Sequence, residues 1–190
     1  MSEQLFLTGM PEQSSKKDRL FFAIFPDADA CAQMTRLAEQ LCARHGLKGK
    51  PRAAALLHVT MHFVGDFHEV SDSVVQAAGM AASQAVATMR PFEVTLDHVK
   101  SFANRSRHRP CVLVGNNDNT ALVSLHCRLI TAFGKRDDHF TPHVTLLYDD
   151  VLVPEESVDP VRWSVRELVL VHNVIGKGCY QALGRWALQG

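Results

Sequence analysis

Two identical His-Val-Thr tripeptides, His58–Thr60 and His143–Thr145, constrain the fold of this 190-residue chain more than any other feature of its sequence. Both lie in short segments rich in β-branched and apolar residues, which predicts that both lie on β-strands. Successive side chains of a strand point to opposite faces, so each histidine shares a face with the threonine two positions later. Two such strands, brought together, would form a cleft that contains two imidazoles and two hydroxyl groups.

The side chains of this cleft suit the cleavage of a phosphodiester. A neutral imidazole can take a proton from an attacking water, and an imidazolium on the opposite side can give a proton to the leaving oxygen. A single histidine on a strand is usually structural, so the repetition carries the prediction. The candidate catalytic residues are His58 and His143, with Thr60 and Thr145 as hydrogen-bond donors to the phosphate oxygens. This chemistry requires no metal and no cofactor, and we expect none.

The spacing of His58 and His62 raises the alternative of a metal-binding pair. On a helix the two side chains would be neighbours, but on a strand they lie roughly 13 Å apart. A shared metal ion is therefore not expected, and His62 is predicted to be structural or to lie at the edge of the pocket. The five cysteines contain no Cys-x-x-Cys pair, which indicates neither a zinc site nor a disulfide framework. Cys111 has no evident activating partner, so a thiol nucleophile is not expected.

The composition predicts one cytoplasmic protein, and we expect it to be a monomer. Hydrophobic residues make up 46% of the chain, enough for a substantial core, and 20 basic residues balance 20 acidic ones. Zero net charge excludes the strongly basic coat of a protein that grips long nucleic acid. No apolar segment approaches the roughly 20 residues that span a bilayer, and the start of the chain lacks a signal-peptide pattern. We expect residues 1–18 to be a flexible extension and residues 19–190 to be a single domain.

The apolar pattern predicts a mixed α+β fold in which a strand-helix-strand unit occurs twice, each time with the tripeptide on the strand after the helix. The predicted helices run from Asp27 to His45, from Ser71 or Asp72 to Met89 and from Thr120 to Phe133, with Asp27 or Asp29 as the first N-cap. The predicted strands are Leu20–Phe25, Leu57–Val64, Phe92–Val99, Cys111–Val114, His143–Tyr148, Trp163–His172 and Cys179–Leu188, with a hairpin turn at Ile175–Gly178.

The sequence resembles the two-histidine phosphoesterase superfamily, which is defined by two His-x-Thr-x motifs. Within it, the sequence is most similar to the bacterial and archaeal RNA 2′,3′-cyclic phosphodiesterases, historically called 2′-5′ RNA ligases. Three segments carry the likeness in the expected order: Arg19–Ile24, His58–Gly65 and Phe140–Leu147, the last with a Thr-Pro pair before its histidine. The likeness covers most of residues 19–188. His62, where a small or apolar residue is more usual, and the N-terminal extension depart from the pattern.

The resemblance implies a two-lobed, pseudo-symmetric fold, with antiparallel sheets flanked by helices and one motif strand from each lobe in a central cleft. It implies opening of RNA 2′,3′-cyclic phosphate ends to 2′-phosphates, with 2′-5′ ligation as a related activity. By motif order it implies that His58 is the proton donor and His143 the proton acceptor. Two alternatives stay open: a sister enzyme that acts on another cyclic phosphate or a 2′-5′-linked nucleotide, and a non-catalytic module that binds nucleotide or RNA.

A basic loop and two aromatic residues are secondary candidates. The loop 105–109 is a local basic cluster, and we predict that Arg107 and Arg109 contact RNA phosphates; the alternative is an ordinary solvated loop. Phe140 and Tyr148 flank the second tripeptide and could stack on a base. Aromatic residues beside a strand more often belong to the core, and we expect this of both.

Overall fold

The computed structural model describes residues 18–103, 107–115, 119–135, 139–174 and 178–189. These residues form one antiparallel sheet of eight strands together with three α-helices, which confirms the mixed fold. The helices are α1 (Ala28–His45), α2 (Asp72–Val86) and α3 (Thr120–Ala132), and a 3₁₀ turn spans Ala54–Leu56. The strands are β1 (Asp18–Ile24), β2 (Val59–Phe67), β3 (Phe92–Ser101), β4 (Arg109–Val114), β5 (His143–Asp149), β6 (Glu156–Val165), β7 (Glu167–Val174) and β8 (Tyr180–Ala187).

The strand order β6-β3-β4-β5-β2-β1-β7-β8 divides the sheet into two halves of four strands. The two motif strands, β2 and β5, are the innermost strands of their halves, and they pair with each other through Val59 and Val144. This arrangement confirms the two pseudo-symmetric lobes implied by the resemblance. The lobes share one continuous sheet rather than two separate ones.

Local sequence explains where α1 begins and ends. The Asp27 carboxylate accepts the Ala30 N–H at 2.9 Å, so Asp27 rather than Asp29 is the N-cap. Gly46 ends the helix in the left-handed conformation, with φ 64°. The buried face repeats at helical spacing and consists of Ala30, Met34, Leu37, Ala38 and Leu41.

Strand β1 is buried on both of its faces and separates two hydrophobic clusters. Leu20, Phe22 and Ile24 belong to the main core, which also contains the buried faces of the three helices. Phe21 and Ala23 point the other way and pack in a second cluster with Val169 and Val171, against which Phe25 and Tyr180 also pack. None of the described helices is both long and apolar enough to cross a membrane.

Two sequence predictions about element boundaries need correction. The predicted strand Trp163–His172 is two strands, because β6 ends at Val165 and pairs with β3, whereas β7 begins at Glu167 and pairs with β1. The alternation of buried and exposed residues ends at Arg166, and the adjacent polar residues Arg166 and Glu167 mark this change of lobe. Strand β1 begins at Asp18, the last residue of the expected extension. Residues 1–17 lie outside the described residues, and so do residues 175–177, which make up most of the predicted hairpin turn.

Candidate active site

The structure brings both His-Val-Thr tripeptides together at one pocket of about 300 Å³, where β2 and β5 meet. The register set by Val59 and Val144 places His58 level with Thr145, and Thr60 level with His143. Val59 and Val144 are fully buried behind this surface. The lining residues come from both lobes and are Arg19, Phe21, Arg52, His58, Thr60, Phe63, His143, Thr145, Tyr148, Asn173 and Tyr180.

Both imidazoles are oriented in the same way by main-chain carbonyl groups. The His58 Nδ1–H donates to the Leu56 carbonyl at 2.8 Å, and the His143 Nδ1–H donates to the Thr141 carbonyl at 2.8 Å. In each case the acceptor lies two residues before the histidine. A neutral ring held through Nδ1–H presents Nε2 as its proton-accepting atom. At His58, this Nε2 accepts a hydrogen bond from the Thr60 hydroxyl at 3.1 Å.

The environment of both histidines favours their neutral form. Burial lowers the pKa of His58 to about 4, the hydrogen bond to the Leu56 carbonyl opposes this shift, and the positive charges of Arg52 and His143 add to it. Burial also lowers the pKa of His143, opposed by its hydrogen bond to the Thr141 carbonyl. At neutral pH both imidazoles are therefore able to accept a proton, and an anion between them would favour the protonation of one.

A β-bulge follows the threonine in each motif strand. Ala23 pairs with Thr60 and Phe22 with His62, so Met61 is an extra residue on β2. On β5 the extra residue is Leu146, because Val112 pairs with Thr145 and Cys111 with Leu147. Each bulge shifts the alternation of side chains by one position.

The bulges decide which aromatic residues line the pocket. Phe63 and Tyr148, each five positions after a motif histidine, face it. The expectation that Tyr148 belongs to the core is therefore wrong. His62 packs instead against the Phe133 ring, with centroids 4.8 Å apart, in a structural position. Phe140 stacks on His126 and packs against the core, as expected.

Sequence reasoning missed two arginines of the pocket. Arg52 donates from Nη2 to the Tyr180 hydroxyl at 3.1 Å, and its guanidinium lies 5.9 Å from the centre of the Tyr148 ring. Its backbone N–H donates to the Leu146 carbonyl at 2.8 Å, which fixes it beside the bulge of β5. Arg19 forms a two-pronged ion pair with Asp66 and lies over the Phe63 ring. Neither arginine belongs to a His-Val-Thr motif, so no local pattern pointed to a role in the pocket.

The two arginines of the basic loop do not line this pocket. Arg109 pairs with Asp149 at the far end of β5 from His143. Because Leu146 is a bulged extra residue, these two β5 residues are five regular steps apart, which corresponds to roughly 17 Å along the strand. Arg109 donates to the Asp150 carbonyl, and Arg107 is exposed. Their contact with RNA stays a prediction.

The Cys111 thiol is unsuited to nucleophilic attack. Burial raises its pKa to about 12, which disfavours the thiolate that a nucleophile requires. Within the described ranges, no group of three or more histidine, cysteine, aspartate or glutamate side chains is arranged to hold a metal ion.

Comparisons with known proteins match both the fold and the sequence. A family model described as the 2′-5′ RNA ligase superfamily matches residues 25–174. E. coli LigT in complex with phosphate is 29% identical, with a TM-score of 0.70 over 92% of this chain and 99% of that chain. A crystal structure of E. coli LigT in complex with 3′-AMP is also known. A structure described as a phosphoesterase is 30% identical, with a TM-score of 0.71 over 91% of this chain and 99% of that chain. The protein TT0787 of Thermus thermophilus, 23% identical with a TM-score of 0.71 over 90% of this chain and 98% of that chain, has the same fold. Comparison with curated protein sequences finds no match.

Proposed function

The chain belongs to the 2′-5′ RNA ligase superfamily, and we propose that it hydrolyses the 2′,3′-cyclic phosphodiester ends of RNA to 2′-phosphates by metal-independent acid–base catalysis. One observation carries this proposal: two histidines, each oriented by a main-chain carbonyl, share one pocket with two threonine hydroxyls. The known complexes of E. coli LigT with phosphate and 3′-AMP support a nucleotide phosphate as the ligand.

In the proposed reaction, the cyclic phosphate lies between His58 and His143. The His143 Nε2 takes a proton from water as the water oxygen bonds to phosphorus. The His58 Nε2–H gives its proton to O3′ as the P–O3′ bond breaks, which leaves a 2′-phosphate and a 3′-hydroxyl. Thr60 and Thr145 donate hydrogen bonds to the non-bridging oxygens, where negative charge accumulates. If the 5′-hydroxyl of an RNA attacked in place of water, the same steps would form a 2′-5′ bond.

The direct test is the incubation of the purified protein with adenosine 2′,3′-cyclic phosphate and with a short RNA that ends in a 2′,3′-cyclic phosphate. We expect a 2′-phosphate product in the presence of EDTA. Product formation that stops with EDTA and returns with a divalent cation would contradict the metal-independent mechanism. Binding of both substrates without turnover would favour the non-catalytic alternative.

The pH dependence of the reaction follows from the pocket. We expect kcat/KM to be bell-shaped with its maximum on the acid side of about 6.5, the ordinary histidine pKa, because both pKa values are lowered in the free protein. The bound phosphate anion favours the imidazolium form, so the maximum of kcat should lie at higher pH than that of kcat/KM. Steady-state kinetics between pH 4 and 9 would check this, and a kcat/KM maximum above pH 7 would contradict it.

The variant Arg52→Gln tests whether the charge of Arg52 controls the protonation of His58. The charge of Arg52 lowers the pKa of His58, so its removal should raise that pKa. One limb of the kcat/KM profile should therefore move to higher pH while the other stays. Profiles of the wild type and the variant that superimpose after scaling to their maxima would contradict this effect of Arg52. The test rests on the position of the limb, whatever the loss of overall rate.

A further inference from the structure

A second pocket, of about 610 Å³, lies beside the candidate active site and shares Tyr148 with it. We propose that this pocket binds the nucleotide on the 5′ side of the terminal one, so that an RNA oligonucleotide, rather than a mononucleotide, is the preferred substrate. The inference rests on the proposed function, because the terminal cyclic phosphate must occupy the first pocket. The lining of the second pocket includes Lys48, Lys50 and His108.

The two lysines supply the charge that a phosphodiester requires. Both side chains are exposed, and within the part of the chain that the structure describes neither forms an ion pair. Because Leu146 is a bulged extra residue, Thr145 and Tyr148 lie roughly 7 Å apart along β5. A phosphate held by the motif threonines lies in the first pocket, whereas the lysines line the second, beyond Tyr148. The lysines suit the next phosphate of the same strand.

An aromatic stack forms the wall between the two pockets. The His108 and Tyr148 rings are nearly parallel, at 8°, with centroids 4.7 Å apart. The His108 backbone has a positive φ of 52°, and its N–H donates to the Asp150 carboxylate at 2.7 Å. Flat aromatic surfaces of this kind stack on unpaired bases in single-stranded RNA. His108 lies between Arg107 and Arg109 in the sequence, and it is the residue of the basic loop that lines the second pocket.

The lysine segment is held rigidly against β5. The buried Asp149 carboxylate accepts the backbone N–H groups of Lys48 and Gly49 at 2.6 and 2.7 Å. A Cβ at Gly49 would lie 2.1 Å from the Tyr148 carbonyl oxygen, so only glycine allows the segment to lie this close. The lining also contains the carboxylates of Asp149 and Asp150, and both accept backbone N–H groups. The exposed side chains of Lys48 and Lys50 are therefore the groups of this pocket that can pair with a phosphate.

The test compares two substrates: adenosine 2′,3′-cyclic phosphate and an eight-nucleotide RNA with the same end. We expect the wild-type kcat/KM to be at least about tenfold higher for the RNA. In the double variant Lys48→Ala/Lys50→Ala the RNA-to-mononucleotide ratio should fall about tenfold, mainly through KM, and the RNA reaction should lose salt dependence. The matched control Lys100→Ala/Lys135→Ala removes two lysines elsewhere and should leave the ratio unchanged. An equal wild-type kcat/KM for both substrates, or an unchanged ratio in the double variant, would overturn the inference.

A binding measurement separates this inference from the proposed function. Fluorescence anisotropy would give the Kd of an eight-nucleotide RNA that ends in a 2′-phosphate, for the wild type and both double variants. If the wild type hydrolyses neither substrate, the proposed function fails. The second pocket is then judged by binding alone: weaker binding only in Lys48→Ala/Lys50→Ala supports it, and equal binding in all three proteins refutes it.

Discussion

Replacement of His58 or His143 with alanine is expected to lower kcat/KM for an RNA 2′,3′-cyclic phosphate about 10³-fold, because each variant removes one of the two proton transfers. The two transfers act on one phosphorus centre, so the double variant should be little worse than either single variant. Both histidines line the same pocket, and each is oriented through Nδ1, so a loss at only one position would not fit the geometry.

The matched control is His68→Ala, which removes an exposed histidine just after β2. We expect wild-type kinetics from this variant. Circular dichroism and thermal unfolding would show whether the two active-site variants keep the fold. A folded His58→Ala or His143→Ala protein with full activity would refute the proposed chemistry.

Replacement of Asp149 with alanine should lower the free energy of unfolding by about 3 kcal/mol. The carboxylate is buried and accepts the backbone N–H groups of Lys48, Gly49 and Val151 at 2.6, 2.7 and 2.9 Å. Alanine would leave these donors without their partner and would detach the segment before His58 from the end of β5. Urea unfolding at pH 7 measures the effect. Asp150→Ala, at the exposed neighbouring position, should cost no more than about 1 kcal/mol.

The stability that Asp149 provides should depend on pH in a defined direction. Hydrogen bonds from the backbone N–H groups, that of Val151 first, hold the pKa of Asp149 below its ordinary value in the folded protein. The stabilisation is therefore fully present above the unfolded-state pKa of about 3.9, and it is lost as the pH falls through the lower folded-state pKa. The difference between wild type and Asp149→Ala should shrink over that interval. A difference that grows as the pH falls would contradict this account.

Local patterns in the sequence predicted the motif strands, an N-cap at Asp27 or Asp29 and the face shared by each histidine and its threonine. They could not predict the bulges, because Met61 and Leu146 are apolar residues that fit an unbroken strand equally well. The register comes from the neighbouring strands, and it puts Tyr148 rather than Leu147 in the pocket. Arg52 was missed for a related reason, since its hydrogen-bond partner Tyr180 lies 128 positions away in the chain.

The orientation of the two candidate catalytic imidazoles depends on peptide groups rather than on side chains. Leucine at position 56 and threonine at position 141 differ in size and polarity, yet their carbonyls accept the same 2.8 Å bond from the histidine two residues later. No substitution at either position can delete that acceptor; only a displaced main chain can. Substitutions at positions 56 and 141 should therefore leave the histidine tautomer unchanged as long as the main chain before each strand keeps its path. Insertions or deletions between positions 56 and 58, or between 141 and 143, would displace the carbonyl and remove the hydrogen bond that fixes the tautomer.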